Sequence, residues 1–160
     1  DGPVALSGSI TSGRSILAAQ AMGADLAYIG SAFIATAEAN APQGYKDTIV
    51  EASANDIVYS NLFTGVHGNY LRQSIVKAGL DPENLPVSDP SAMNFGSGGN
   101  QEAKAWRDIW GSGQGVGAID AVLSAGELIA KFAEQYEDAK AELAAKTALT
   151  SGNRLAFAAQ

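Results

Sequence analysis

The sequence predicts an α/β fold in which short strands alternate with helices, and an incomplete one. Three runs carry strand character, at 3–6, 24–29 and 56–63, and each closes on serine, threonine or glycine. Helical patterns separate them, and crossovers of that kind pair strands in parallel with a right-handed connection. Three such strands, apolar on both faces, leave two open sheet edges and a half-exposed core, which is a poor independent domain.

The elements follow in order. Pro3-Val4-Ala5-Leu6 runs into Ser7-Gly8-Ser9, the pattern of a buried strand ending in a tight loop. Thr11 or Ser12 can cap a helix from Gly13 to about Met22, in which Ile16, Leu17, Ala19 and Gln20 recur at roughly helical spacing. Gly23 ends that helix as a left-handed terminator. Ala24 to Ile29 is a second strand leading into Gly30-Ser31, and Ala32 to about Ala39 is the next helical segment. Lys46 to Ala54 reads as a further short helix. Asp56 to Phe63, rich in β-branched and aromatic residues, is the third strand. A helix is expected from Gly68 to Gly79, with Leu71, Ile75 and Val76 on one face and Asp81-Pro82 as its breaker.

From there to about Asn100 the chain reads as a surface loop centred on Gly96-Ser97-Gly98-Gly99. Ala103 to Trp110 can form one or two helical turns before the glycine-dense run Gly111 to Gly117. Ser124-Ala125-Gly126-Glu127 has capping-box spacing, and Leu128, Ile129, Phe132, Tyr136 and Ala139 continue an apolar stripe toward Leu143. Beyond Thr150 a loosely ordered tail is expected, which divides the chain into a domain at 1–149 and a tail at 150–160.

Composition narrows the function. A hydrophobic fraction of 46% and a charged fraction of 17% describe a folded chain, and a formal charge of -7 opposes nonspecific nucleic-acid binding. Without cysteine there is no disulfide, thiolate nucleophile or cysteine-ligated zinc, and a single histidine makes a histidine-rich metal site equally unsupported, so no metal is expected. No apolar run approaches the ~20 residues that span a bilayer, so no membrane partner is expected and a cytoplasmic location is the default. Asp1-Gly2-Pro3 opens without an initiator methionine and reads as the middle of a protein.

The strongest chemical signal is a pair of strand ends, Leu6-Ser7-Gly8-Ser9 and Tyr28-Ile29-Gly30-Ser31, each opening into a helical segment. Small residues at two successive C-terminal strand ends let backbone N–H groups approach one phosphate, with Ser9 and Ser31 as hydroxyl donors and a helix N-terminus assisting. The alternative is that Gly8, Gly23 and Gly30 only turn the chain.

The stretches Ser7-Gly8-Ser9-Ile10-Thr11-Ser12-Gly13-Arg14, Ala18-Ala19-Gln20-Ala21-Met22-Gly23-Ala24-Asp25 and Ile29-Gly30-Ser31-Ala32-Phe33-Ile34-Ala35-Thr36 resemble the nitronate monooxygenase motif over the sixth and seventh strands of a (β/α)8 TIM barrel. The family's double glycine corresponds here to Ser7-Gly8. Tyr59 to Gly65 is similar to the family's eighth strand, and Trp110-Gly111-Ser112-Gly113-Gln114-Gly115 to its late glycine–glutamine loop, so the resemblance covers about residues 3 to 140. A related phosphate pair occurs in inosine monophosphate dehydrogenase and in flavin-dependent enoyl reductases. The later segments favour nitronate monooxygenase.

That resemblance implies part of a TIM barrel, about strands six to eight with their helices plus a C-terminal helix. It implies FMN as cofactor, held at Gly8, Ser9, Gly30 and Ser31 by its phosphate, with Gln114 and Gly115 touching the flavin or its phosphate arm. The family's chemistry is oxidation of alkyl nitronates by FMN and oxygen to a carbonyl compound and nitrite, without a metal. Its catalytic histidine lies in a Gly-Gly-His-type motif that this chain lacks, so the catalytic residue is unknown and the fragment alone is expected to be inactive. The alternatives are another flavin-dependent barrel enzyme, such as an enoyl reductase, or a noncatalytic fragment without ligand.

Gly113-Gln114-Gly115-Val116-Gly117-Ala118 matches a dinucleotide fingerprint in form, yet Ala105 to Trp110 does not read as the strand that must precede one. His67 follows the third strand, on the face where barrels place their sites, although a lone loop histidine more often sits at the surface. Trp106 and Trp110, spaced i to i+4, suit packing better than flavin stacking, and Glu134, Glu137, Asp138 and Glu142 suit a solvated helix face.

Overall fold

A computed structural model describes residues 2–88 and 105–157. The predicted loop centre at Gly96 to Gly99 lies outside them. The element order is β1 (Ala5–Ser7), α1 (Gly13–Ala21), β2 (Leu26–Tyr28), α2 (Ser31–Ile34), α3 (Gln43–Glu51), β3 (Ile57–Ser60), β4 (Gly68–Leu71), α4 (Arg72–Lys77), α5 (Ala105–Asp108) and α6 (Ala125–Phe157).

The first β–α–β unit forms as its sequence pattern requires. Ser12 caps α1 by accepting from the Ser15 N–H, while the Ser15 hydroxyl accepts from the Ser12 N–H, a reciprocal capping box. Gly23, at φ +94°, then turns the chain into β2. β1 and β2 pair in parallel with Ala5 opposite Leu26 and Ser7 opposite Tyr28. Both strands remain open: Val4, Leu26 and Tyr28 are 58%, 59% and 69% exposed.

The third strand departs from the expected parallel arrangement. β3 pairs antiparallel with β4, in register Ile57 with Leu71 and Ser60 with Gly68, and not with β2. The β3–β4 connection sets the antiparallel sense of that pair: Gly65 N–H donates to Asn61 O at 2.8 Å, and Gly65 takes φ +76°, so the chain reverses within a tight loop. A parallel return needs a crossover of a dozen residues or more. The helix expected from Gly68 therefore begins only at Arg72, because Gly68 to Leu71 is consumed by the hairpin.

Two other boundaries move for local reasons. α2 stops at Ile34, short of Ala39, since Thr36 bridges to Leu123 and the Ala37 N–H donates to Leu123 O at 2.8 Å. α3 starts earlier than Lys46, at Gln43, behind Pro42, whose carbonyl accepts from Tyr45 N–H at 2.9 Å. The Ser124–Glu127 capping box forms, and the backbone of α6 continues helical to Phe157, past the Thr150 boundary read from sequence.

One apolar cluster joins Ala32, Ala35, Ile49, Leu71, Val116, Ile119, Leu128 and Phe132, and a second joins Tyr70, Ile75 and Ile109. α6 packs along α1, where Ala19 is buried and Gly13 N–H donates to Gln135 Oε1 at 2.9 Å. No helix among the described residues is long and apolar enough to cross a membrane.

Candidate functional site

The parallel register places the residues after Ser7 and those after Tyr28 beyond the same end of the β1–β2 pair. Gly8 takes φ +103° and Ser9 φ +55°. The two consecutive positions that favour glycine are thus Gly8 and Ser9, one place later than the Ser7-Gly8 pair singled out from sequence. Two successive left-handed residues turn the chain sharply as it leaves β1. Gly8, Ser9 and Gly30 are exposed, and a Cβ built on Gly8 or Gly30 meets nothing within 4 Å.

The first turn of α1 contributes less than expected. Its Gly13 and Ser15 N–H groups already donate to Gln135 and Ser12. α2 spans four residues, too short to act through a helix dipole.

The glycine-dense loop reaches this strand end by a route the sequence does not show. Trp110 to Ser112 lies along β4: Leu71 N–H donates to Trp110 O at 2.8 Å, Ser112 N–H to Asn69 O at 3.2 Å, and Tyr70 bridges Gly111. From there Gly113 N–H donates to Ser31 Oγ at 2.8 Å, and Thr11 Oγ1 donates to Gly115 O at 3.1 Å. A Cβ on Gly115 would lie 2.9 Å from Thr11 Oγ1 and 3.0 Å from Ser9 O. The backbone of Gln114 to Ala118 forms a 3-10 turn anchored by the fully buried Val116.

Ser9, Ser31, Gln114 and Gly115 are therefore brought together, with Gly8 and Gly30 flanking them. Thr11 and Gly113 were not singled out from the sequence as site residues. Their bonds span 104 and 82 residues, and no local pattern announces contacts of that separation.

His67 is not among the residues these contacts join. Its ring stacks on Tyr59 at 4.9 Å, and it lines a cleft of about 190 Å³ with Tyr59, Ser60, Asn61 and Glu83. Trp110 packs as expected, stacked on Tyr45 at 5.1 Å, with Lys77 Nζ 5.4 Å from the centroid of the Trp110 ring. The Tyr45 hydroxyl donates to Gly111 O, and burial pushes that phenol above its ordinary range. Glu142 and Glu137 are engaged by lysines and an arginine on and beside α6, as a solvated helix face would be.

The family model for Nitronate monooxygenase matches residues 1–135. The chain is 33% identical over 153 residues to a protein of Mycobacterium tuberculosis that its name assigns to the monooxygenases, and 28% identical over 145 residues to a nitronate monooxygenase of Paraburkholderia phytofirmans. Each alignment covers 88% of this chain and 40% of the relative, so the chain spans about two fifths of their length. Among solved structures, nitroalkane oxidase from Streptomyces ansochromogenes superposes with a TM-score of 0.66 at 28% identity, over 89% of this chain and 42% of that one. FabK from Thermotoga maritima superposes with a TM-score of 0.66 over 91% of this chain and 48% of that one, and its 21% identity speaks for the fold alone. The shared architecture is α/β and barrel-like, of which this chain is a part.

Proposed function

This chain belongs to the nitronate monooxygenase family, and from that premise we propose that it supplies the phosphate-binding side of an FMN site in an enzyme that oxidises alkyl nitronates with oxygen to carbonyl compounds and nitrite. The observation that carries the reading is the meeting of three small-residue segments at one end of a parallel strand pair, tied together at Ser31 and Thr11. In this reading residues 1–149 are part of an FMN-binding barrel domain.

The residues present suit such a group. Gly8 and Ser9 turn the chain sharply at the end of β1, and open space at Gly8 and Gly30 admits an anion to the backbone. Ser31 accepts from Gly113, and no acceptor for its own hydrogen lies among its described hydrogen bonds, which leaves that hydrogen to donate to a phosphate oxygen. Gln114 and Gly115 line the approach toward the rest of the cofactor. When bound, FMN supplies the redox chemistry, and these protein groups hold and orient it. No residue of this chain is assigned as the catalytic base, since the chain has no Gly-Gly-His sequence and His67 faces Tyr59 in another cleft.

Gly30→Val is the cleanest test, because a Cβ there meets no protein atom within 4 Å and the substitution fills only the open space at the strand end. In the protein at its native length it should cost at least about tenfold in FMN affinity, the loss of one or two charge-assisted hydrogen bonds. The melting temperature of the flavin-free protein should stay unchanged. Unaltered flavin affinity would count against the site. Turnover of an enoyl thioester in place of nitrite release from a nitronate would overturn the activity.

A further inference from the structure

We infer that Thr11 and Gly113 are positioning residues for this site, holding the glycine loop across both strand ends so that the phosphate donors keep one geometry. The inference rests on the FMN-phosphate reading above. Gly113 N–H donates to Ser31 Oγ at 2.8 Å, which holds that oxygen against the loop and leaves its single hydrogen to donate to another group. A phosphate offers only acceptors and suits that donor.

The Thr11 contact sets how closely the loop lies on the first strand end. Its Oγ1 donates to Gly115 O at 3.1 Å, and Gly115 has no room for a side chain against Thr11 Oγ1 and Ser9 O. Ser9, held at φ +55°, is thereby backed by the same loop that orders Ser31. The two strand ends are joined through Gly113–Gly115 as well as through the β1–β2 ladder. Loss of the Thr11 hydroxyl frees the loop from one end and leaves the ladder intact.

The test compares FMN with riboflavin, which lacks the phosphate, by titration into the protein at its native length. Thr11→Val should raise the FMN dissociation constant about five- to tenfold and leave that of riboflavin within about twofold, while Thr11→Ser, which keeps the donor, restores FMN binding. Without flavin, amide hydrogen exchange at Gly113 and Gly115 should quicken in Thr11→Val and not in Thr11→Ser. Thr11→Ala removes the same hydroxyl without adding a methyl group and should show the same split between the two flavins, which decides the matter if Thr11→Val fails to fold. Equal weakening of both flavins, or no change for FMN, overturns the positioning role. Wild-type protein that binds FMN no more tightly than riboflavin overturns the phosphate reading itself, and this inference with it.

Discussion

Gly13 and Ser9 show how single residues set the geometry here. A Cβ on Gly13 would fall onto the backbone of α6 at Phe132 O and Tyr136 N, and no side-chain movement relieves overlap with main chain. Gly13 is a helix residue without left-handed φ, so its role is close approach, in contrast to Gly8 and Gly23. Gly13→Ala is expected to lower stability by about 3 kcal/mol, at the upper end of overpacking penalties, as a fall in the unfolding midpoint in urea. A change within experimental error would show that α1 and α6 do not approach as described. Ser9 is the opposite case, a residue with a side chain in a conformation that favours glycine. It is kept there beside the Thr11–Gly115 contact at the candidate site, where such strain tends to collect.

Among the elements, α1 and α6 are tied by polar contacts as well as by apolar packing. Arg14 pairs with Glu142, which also accepts from Lys146, and Tyr136 donates to Gln20. The hydrogen bond from Arg14 and then that from Lys146 lower the Glu142 carboxyl from 4.5 to about 2. A carboxyl lowered in the folded state adds stability above its ordinary pKa and loses it as pH falls through the folded value. The contact between α1 and α6 should therefore loosen between about pH 4.5 and about pH 2. Glu142→Gln should flatten that part of the melting-temperature profile against pH and leave the remainder. Because solvent reaches this pair, the effect is modest and shrinks with added salt. An identical acid slope in the variant would remove Glu142 from the account.

At the scale of the whole molecule, the β1–β2 pair is the exposed feature. Parallel sheets are ordinarily covered on both faces, yet Val4, Leu26 and Tyr28 face solvent, and among the described residues neither outer edge has a partner strand. A polypeptide of residues 1–160 is expected to self-associate, sedimenting as species heavier than 16.4 kDa at rising concentration. It should also release no nitrite from a nitronate above the rate with free FMN. A monodisperse monomer that turns over nitronate would overturn both expectations.

The sequence by itself determined the local pieces: the capped α1 with its Gly23 terminator, the strands at the two small-residue ends, the capped start of α6, and the family whose model matches residues 1–135. These rest on contacts between residues a few positions apart, where spacing and residue type suffice. Tertiary structure decided the rest. Whether Ile57 to Ser60 pairs with β2 or folds back on Gly68 to Leu71 depended on a turn around Gly65 that the helical spacing of Leu71, Ile75 and Val76 concealed. The assembly of the candidate site depended on Gly113 reaching Ser31 and Thr11 reaching Gly115, bonds across 82 and 104 residues that no window of sequence contains. Strand ends can be read from their own composition, but the loop that closes over them is placed by the packing of Val116 and the pairing of Trp110 to Ser112 with β4.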